Sequence, residues 1–110
     1  MLDDAIWTKA TDGDAEFARE LAGSLVEDVE KQMSDAVRAF ASADGPLLGR
    51  VAHSMRGLGS VTGALELVTT AASLEDCARS RRFDAVEPMD ALRNALEHLR
   101  VTLRGRGLVD

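Results

Sequence analysis

The sequence predicts an all-α fold: an up-and-down antiparallel four-helix bundle with a short N-terminal arm or helix. Three observations carry this. Tyr is absent, Trp occurs once, and Ala, Leu, Glu, Asp and Arg dominate, a composition that favours helix over sheet. Apolar side chains recur at three- and four-residue steps through four long stretches. Short clusters of Gly, Pro, Asp and Ser separate the stretches, so successive helices should be antiparallel neighbours. With 110 residues, 45% of them hydrophobic, the chain suits one compact domain with a core of its own. The expected division is an arm over 1–13 and a helical bundle over 14–104.

The arm has room for a helical turn around Asp4 to Lys9, with Ile6 and Trp7 packing back on the bundle. Asp14 is a suitable N-cap for the first long helix. Its apolar stripe reads Phe17, Leu21, Leu25, Val29, Met33, Val37 and Phe40, with Glu20, Glu27, Asp28, Lys31 and Arg38 elsewhere. This is one helix, or two bending near Gly23 and Ser24. Ser42, Ala43, Asp44, Gly45 and Pro46 interrupt it. Pro46 suits the first turn of the next helix, capped by Asp44 or Gly45.

That next helix is expected to end near Gly59 or Ser60, with Thr62 and Gly63 marking a turn. The third helix places Ala64, Leu67, Ala71, Leu74 and Ala78 on one face. Residues 80–84 connect to the last helix, which tolerates Pro88 in its first turn. Leu92, Leu96, Leu99 and Leu103 form its stripe, and Gly105 and Gly107 end it.

The second long helix holds the candidate site. At about 100° per residue, Gly49, Arg50, Arg56, Gly57 and Ser60 project within roughly 60° of His53. Leu48, Val51, Met55, Leu58 and Thr62 occupy the opposite face. One side is built to bury, and the other presents an imidazole on nearly bare backbone between two arginines. Gly57 and Gly49 each cost about 1 kcal/mol relative to Ala in a helix interior. Gly57 is read as clearance for an approaching partner. For Gly49, clearance and close helix packing both remain open.

The same residues resemble the signature of histidine-containing phosphotransfer (HPt) domains: Ala-His, a Lys three residues later, then Gly, then Gly-Ala near the next helix. His53, Gly57, Ser60, Gly63 and Ala64 fall at matching positions, and Leu67, Leu74 and Glu75 continue the pattern. Arg56 stands where the family usually has Lys. More loosely, the resemblance covers about residues 14 to 104.

The resemblance implies a phosphocarrier in a two-component phosphorelay. His53 would accept a phosphoryl group on Nε2 from a receiver-domain aspartyl phosphate and pass it to another receiver aspartate. Arg56 would stabilise charge on the transferring group, as the usual Lys does, with a planar fork in place of a point charge. Arg50 is a further candidate for that role. Ser60 is either a helix-end residue or a hydrogen-bonding group for the phosphoryl. Glu75 either orients the imidazole through Nδ1 or is a solvent-exposed glutamate after Leu74.

The implied partners are receiver domains of response regulators or of a hybrid histidine kinase. No cofactor is expected on the chain itself. The partner would supply the acid pocket and Mg²⁺, since no cluster of carboxylates surrounds His53. Nothing in the sequence binds ATP, so no kinase activity of its own is expected. The competing reading is a helical-bundle interaction module without phosphotransfer, which would tolerate substitution of His53.

Other features exclude other classes. A net charge of −6 argues against nucleic-acid binding. No apolar run approaches the ~18 residues of a membrane span, and Met1 to Asp4 do not begin a signal peptide. The single Cys77 excludes an internal disulfide, and a cytoplasmic monomer is expected. Gly57 to Gly63 is glycine-rich but follows no strand and lacks the Walker Lys, so it is not a nucleotide loop. His98 lies far along the chain from His53 without metal-ligand spacing, and Cys77 has no evident base.

Overall fold

A computed structural model describes residues 2–84 and 86–110. Five helices follow one another: α1 Asp4–Thr11, α2 Ala15–Ala41, α3 Gly45–Thr62, α4 Leu65–Ser80 and α5 Glu87–Gly105. The four long helices close a bundle in which α2 meets α3 and α5, and α4 meets α3 and α5. The short α1 lies across α2 and α3.

The arm is therefore a helix with caps of its own. Asp3 accepts a hydrogen bond from Ile6 N at 3.0 Å, and Asp12 ends the helix in the left-handed region at φ 55°. Trp7 is buried. Leu2 forms an isolated antiparallel bridge to Ala64, and Asp3 N donates to Gly63 O at 2.9 Å. Leu2 and Asp3 are thus pinned to the turn between α3 and α4.

Asp14 caps α2 by accepting from Phe17 N at 2.9 Å. The helix runs through Gly23 and Ser24 as one element. Its buried face overlaps the expected stripe at Leu25 and Val29 but is centred elsewhere. Ala18, Ala22, Leu25, Val29, Ala36 and Ala39 are buried, while Phe17 and Val37 are exposed and Leu21, Met33 and Phe40 are half-buried. Small alanines make up four of the six buried positions on this face. The large side chains lie along its edges, which is why a stripe drawn through the bulkiest residues was displaced around the helix.

Asp44 caps α3 through Leu47 N at 3.0 Å, with Pro46 in the first turn. The helix passes Gly59 and Ser60 and continues to Thr62, beyond the expected end. The residue that ends it is Gly63, at φ 84°, whose N–H reaches Gly59 O. Gly59 is a packing glycine inside the helix: a Cβ there would sit 2.8 Å from Ala64 O and 2.8 Å from Val68 Cγ2. Thr62 turns its hydroxyl back onto Leu58 O at 2.6 Å, which satisfies it while buried.

In α4, Leu67, Ala71, Leu74 and Cys77 are buried; Ala64 precedes the helix as its N-cap position, and Ala78 is half-buried. Arg81 ends α4 at φ 54°. Beyond it Phe83 meets Phe40 edge-to-face, with centroids 6.0 Å apart. The stripe of α5 is as expected, Leu92, Leu96, Leu99 and Leu103 all being buried, with Met89 and Ala95 beside them. No helix among the described residues is long and apolar enough to cross a membrane.

Candidate functional site

Helix α3 sorts its residues as its periodicity requires. Leu48, Val51, Met55 and Thr62 are buried and Leu58 is half-buried, whereas Arg50, His53, Gly57 and Ser60 are exposed. The His53 side chain is 73% exposed and makes no hydrogen bond among the described residues. It stands near the middle of an 18-residue helix held by the core beneath it, so its base is rigid while its ring is open to a partner.

Helix α4 brings Glu75 alongside. Its Oε2 lies 3.9 Å from His53 Nδ1, outside hydrogen-bond range, while its Oε1 lies 3.1 Å from Arg56 Nε. The contact with Arg56 is an ion pair without hydrogen-bond alignment, because Oε1 is buried and accepts no hydrogen bond. Only 19% of the Glu75 side chain is exposed. Glu75 is thus neither a solvated surface glutamate nor a hydrogen-bonded anchor of the ring. It pairs with Arg56, and its other oxygen sits about 1 Å beyond hydrogen-bond range of the ring's Nδ1.

Gly57 faces open space, with no atom within 4 Å of a Cβ placed there, so helix packing does not require a glycine. A Cβ on Gly49 would touch Ala78 Cβ at 3.7 Å, an ordinary contact that leaves room for Ala and little more. Ser60 lies inside α3, seven residues past His53. The rise of about 1.5 Å per residue puts it roughly 10 Å further along the axis, beyond direct reach of a group on His53. Ser60 belongs to the same face without belonging to the reacting centre.

An open groove of about 670 Å³ begins at His53 and runs between the first half of α3 and the end of α4. Gly45, Gly49 and Ala78 leave it shallow-walled, and Arg50, Arg79 and Arg81 border it. On the opposite flank of α3, Gln32 Nε2 donates to Ser54 Oγ at 2.8 Å and ties α2 to the turn that holds His53.

Ser54, Arg79 and Arg81 were not singled out from the sequence. Ser54 projects about 100° from His53 and fell outside the face considered. Arg79 lies in the last turn of α4 and Arg81 caps its end, a helix-end geometry that periodicity does not describe. Counting charge by segment would have found them: residues 45–82 hold five arginines against three acidic side chains, whereas the rest of the chain has eight cations against sixteen carboxylates.

Cys77 is buried in the core. His98 is paired through Nδ1 with Glu66 at 2.9 Å and stands apart from the His53 face. Among the described residues, no group of three or more His, Cys, Asp or Glu side chains is placed to hold a metal ion. What the site offers chemically is one accessible imidazole, a guanidinium one turn away, a carboxylate between them and a groove with a basic border.

The sequence matches the family model of the Hpt domain over residues 20–102. Comparison with the curated proteins found no match. Two solved structures are similar in fold. One is the crystal structure of histidine-containing phosphotransfer protein B (HptB) from Pseudomonas aeruginosa PAO1. It aligns with a TM-score of 0.87 and 23% identity over 96% of this chain and 92% of that one. The other is the HPT domain from a sensor hybrid histidine kinase of Shewanella, with a TM-score of 0.69 and 14% identity over 94% of each chain.

Proposed function

The chain belongs to the Hpt domain family, and from that premise we propose that His53 is its phosphoacceptor and Arg56 the cation that assists transfer. Histidine phosphotransfer within a two-component phosphorelay is the function of the domain, and receiver domains are the partners of the family. The observation that carries the residue assignment is the His53 face: an imidazole 73% exposed, with Arg56 one turn away and open space over Gly57.

The lone pair of a neutral ring nitrogen attacks the phosphorus of an aspartyl phosphate on the receiver. An N–P bond forms as the P–O bond to the aspartate breaks, and the carboxylate leaves with that electron pair. The ring then bears a positive charge shared with the proton on its other nitrogen. Nδ1 is the nitrogen turned toward Glu75, which supports Nε2 as the nucleophile, as the family resemblance implies, with the ring proton on Nδ1. A shift of about 1 Å brings Glu75 Oε2 into hydrogen-bond range of that N–H.

Arg56 is held beside the site by Glu75 and has only to rotate its guanidinium outward to meet the equatorial oxygens. Stabilising charge there, with correct positioning, is most of what a protein does for phosphoryl transfer. The partner brings the acid pocket and its Mg²⁺. The chain acts as a carrier without kinase activity of its own, as a cytoplasmic monomer.

The test is label transfer from a panel of phosphorylated receiver domains to the wild-type chain and to His53→Gln. The wild type should acquire acid-labile label and the variant, folded and helical, none. Label persisting in the variant, for instance on His98, would overturn the assignment. Failure of every receiver to label the wild type would favour an interaction module without phosphotransfer.

A further inference from the structure

The groove beside His53 gives the domain an asymmetric approach. We propose that the docking footprint of the receiver extends from His53 along this groove toward the N-terminus of α3, with Arg50 and Arg81 as the cations that attract and orient its acidic rim. This rests on the phosphotransfer reading and adds which surface selects the partner.

The first support is where charge lies. Residues 45–82, which include α3 and α4, contain five of the thirteen cations and three of the nineteen acidic side chains. The rest of the chain, which includes Asp44 and Asp84 at the ends of this segment, holds eight cations against sixteen carboxylates and is on balance less favourable to an acidic partner. A receiver that must bring a cluster of carboxylates to His53 is therefore favoured in one orientation.

The second support is which cations are uncommitted. Arg56 is paired with Glu75 and Arg79 with Asp76. Among the described residues no ion pair engages Arg50 or Arg81, although both border the groove. Arg81 Cζ lies over the Phe83 ring, 5.9 Å from its centroid, and Phe83 in turn meets Phe40 edge-to-face. A cation placed in this way loses less conformational freedom when it pairs with a partner.

The third support is shape. Gly45, Gly49 and Ala78 keep the floor low along the groove, so a partner loop can descend beside His53 on this side. A Cβ on Gly45 would lie 3.3 Å from Ala78 O, 3.6 Å from Arg81 Nη1 and 3.7 Å from Phe83 Cζ. The same glycine thus lets α3 and α4 close up and leaves the Arg81 head at the border.

The experiment uses the full chain and one receiver domain, phosphorylated with acetyl phosphate and chosen because it labels the wild type. Transfer rates are measured against receiver concentration for Arg81→Glu, for Arg50→Glu, and for Arg104→Glu at the end of α5 as control. The expected result is a KM raised about tenfold in each groove variant with kcat retained, and an unchanged KM in the control. Rim charges act mainly through encounter, so the difference should shrink as salt is raised to about 0.5 M, where screening is nearly complete.

Unchanged KM in both groove variants, with His53 still labelled, would overturn the footprint and leave the phosphotransfer reading standing. A fall in kcat at unchanged KM for Arg50→Glu would place Arg50 on the phosphoryl group and remove it from the docking surface. Absence of label in the wild type with any receiver would strike the phosphotransfer reading itself, and the two failures are thereby distinguished.

Discussion

Replacing Arg56 tests two roles of one side chain, because the guanidinium compensates Glu75 and is the proposed cation for the phosphoryl group. At 3.1 Å from Glu75 Oε1, the gross attraction at an effective dielectric of 20 is about 5 kcal/mol. Arg56 is 43% exposed and its N–H is not aimed at the oxygen. Screening and poor alignment should leave a net loss of about 1 kcal/mol when the pair is removed. In a domain of this size that lowers Tm by about 4 °C.

The kinetic effect should be larger. Loss of a hydrogen bond to a charged group in the transition state, about 1 to 3 kcal/mol, slows transfer roughly tenfold to a hundredfold. Melting curves and single-turnover rates with one phosphorylated receiver should therefore separate Arg56→Ala from the wild type on both measures. Arg56→Lys should retain a rate comparable to the wild type, since it keeps the charge. Adding Glu75→Gln to Arg56→Ala should recover most of the lost stability and none of the rate. Equal rates for the wild type and Arg56→Ala would make the guanidinium a structural counter-ion alone. A Lys variant as slow as Ala would show that the planar fork matters and the charge does not suffice.

Two glycines on the same helix should respond in opposite senses. Gly57→Leu meets open space, so it should gain up to about 1 kcal/mol from helix propensity while slowing transfer from the same receiver. Transfer at the wild-type rate would refute clearance as its role. Gly59→Ala forces a Cβ within 2.8 Å of Ala64 O; it should lose about 1–3 kcal/mol by overpacking in thermal denaturation. Its labelling on His53 should survive wherever the variant is folded, and wild-type stability would refute the close α3–α4 contact.

Much of the fold was legible because caps and breakers are local chemistry. Asp14 and Asp44 read as N-caps and accept the expected backbone N–H groups, and Pro46 and Pro88 lie where a first turn accepts them. The face of α3 was legible for the same reason: a period of 3.6 residues alone separates His53, Arg50 and Gly57 from Leu48, Val51 and Met55. What escaped was whatever depends on a second helix. The alanines of α2 became a contact surface only when the neighbouring helices closed on them, and weighting by side-chain size pointed to Phe17 and Val37 instead. Gly59 looked like a helix end because its requirement comes from Val68 and Ala64, across the turn.

The candidate site divides along the same line. His53, Arg56 and Gly57 are neighbours on one helix, so their sequence spacing already placed them together. Glu75 is different: its position in the pattern suggested a choice between the ring and solvent, and tertiary packing supplied a third partner, Arg56. That pairing bears on how the proposed site would work. A guanidinium tethered to a half-buried carboxylate stays within one turn of His53 without occupying the space the partner must enter. On the proposed assignment, an arriving phosphoryl group would compete with Glu75 for Arg56, while a proton on Nδ1 would offer Glu75 a replacement. Glu75 and Arg56 would each keep one charge partner before and after transfer, so neither the loaded nor the empty domain would leave the Glu75 carboxylate uncompensated. A carrier that must both accept and surrender a phosphoryl group needs such balance, since holding either state too tightly would stop the relay.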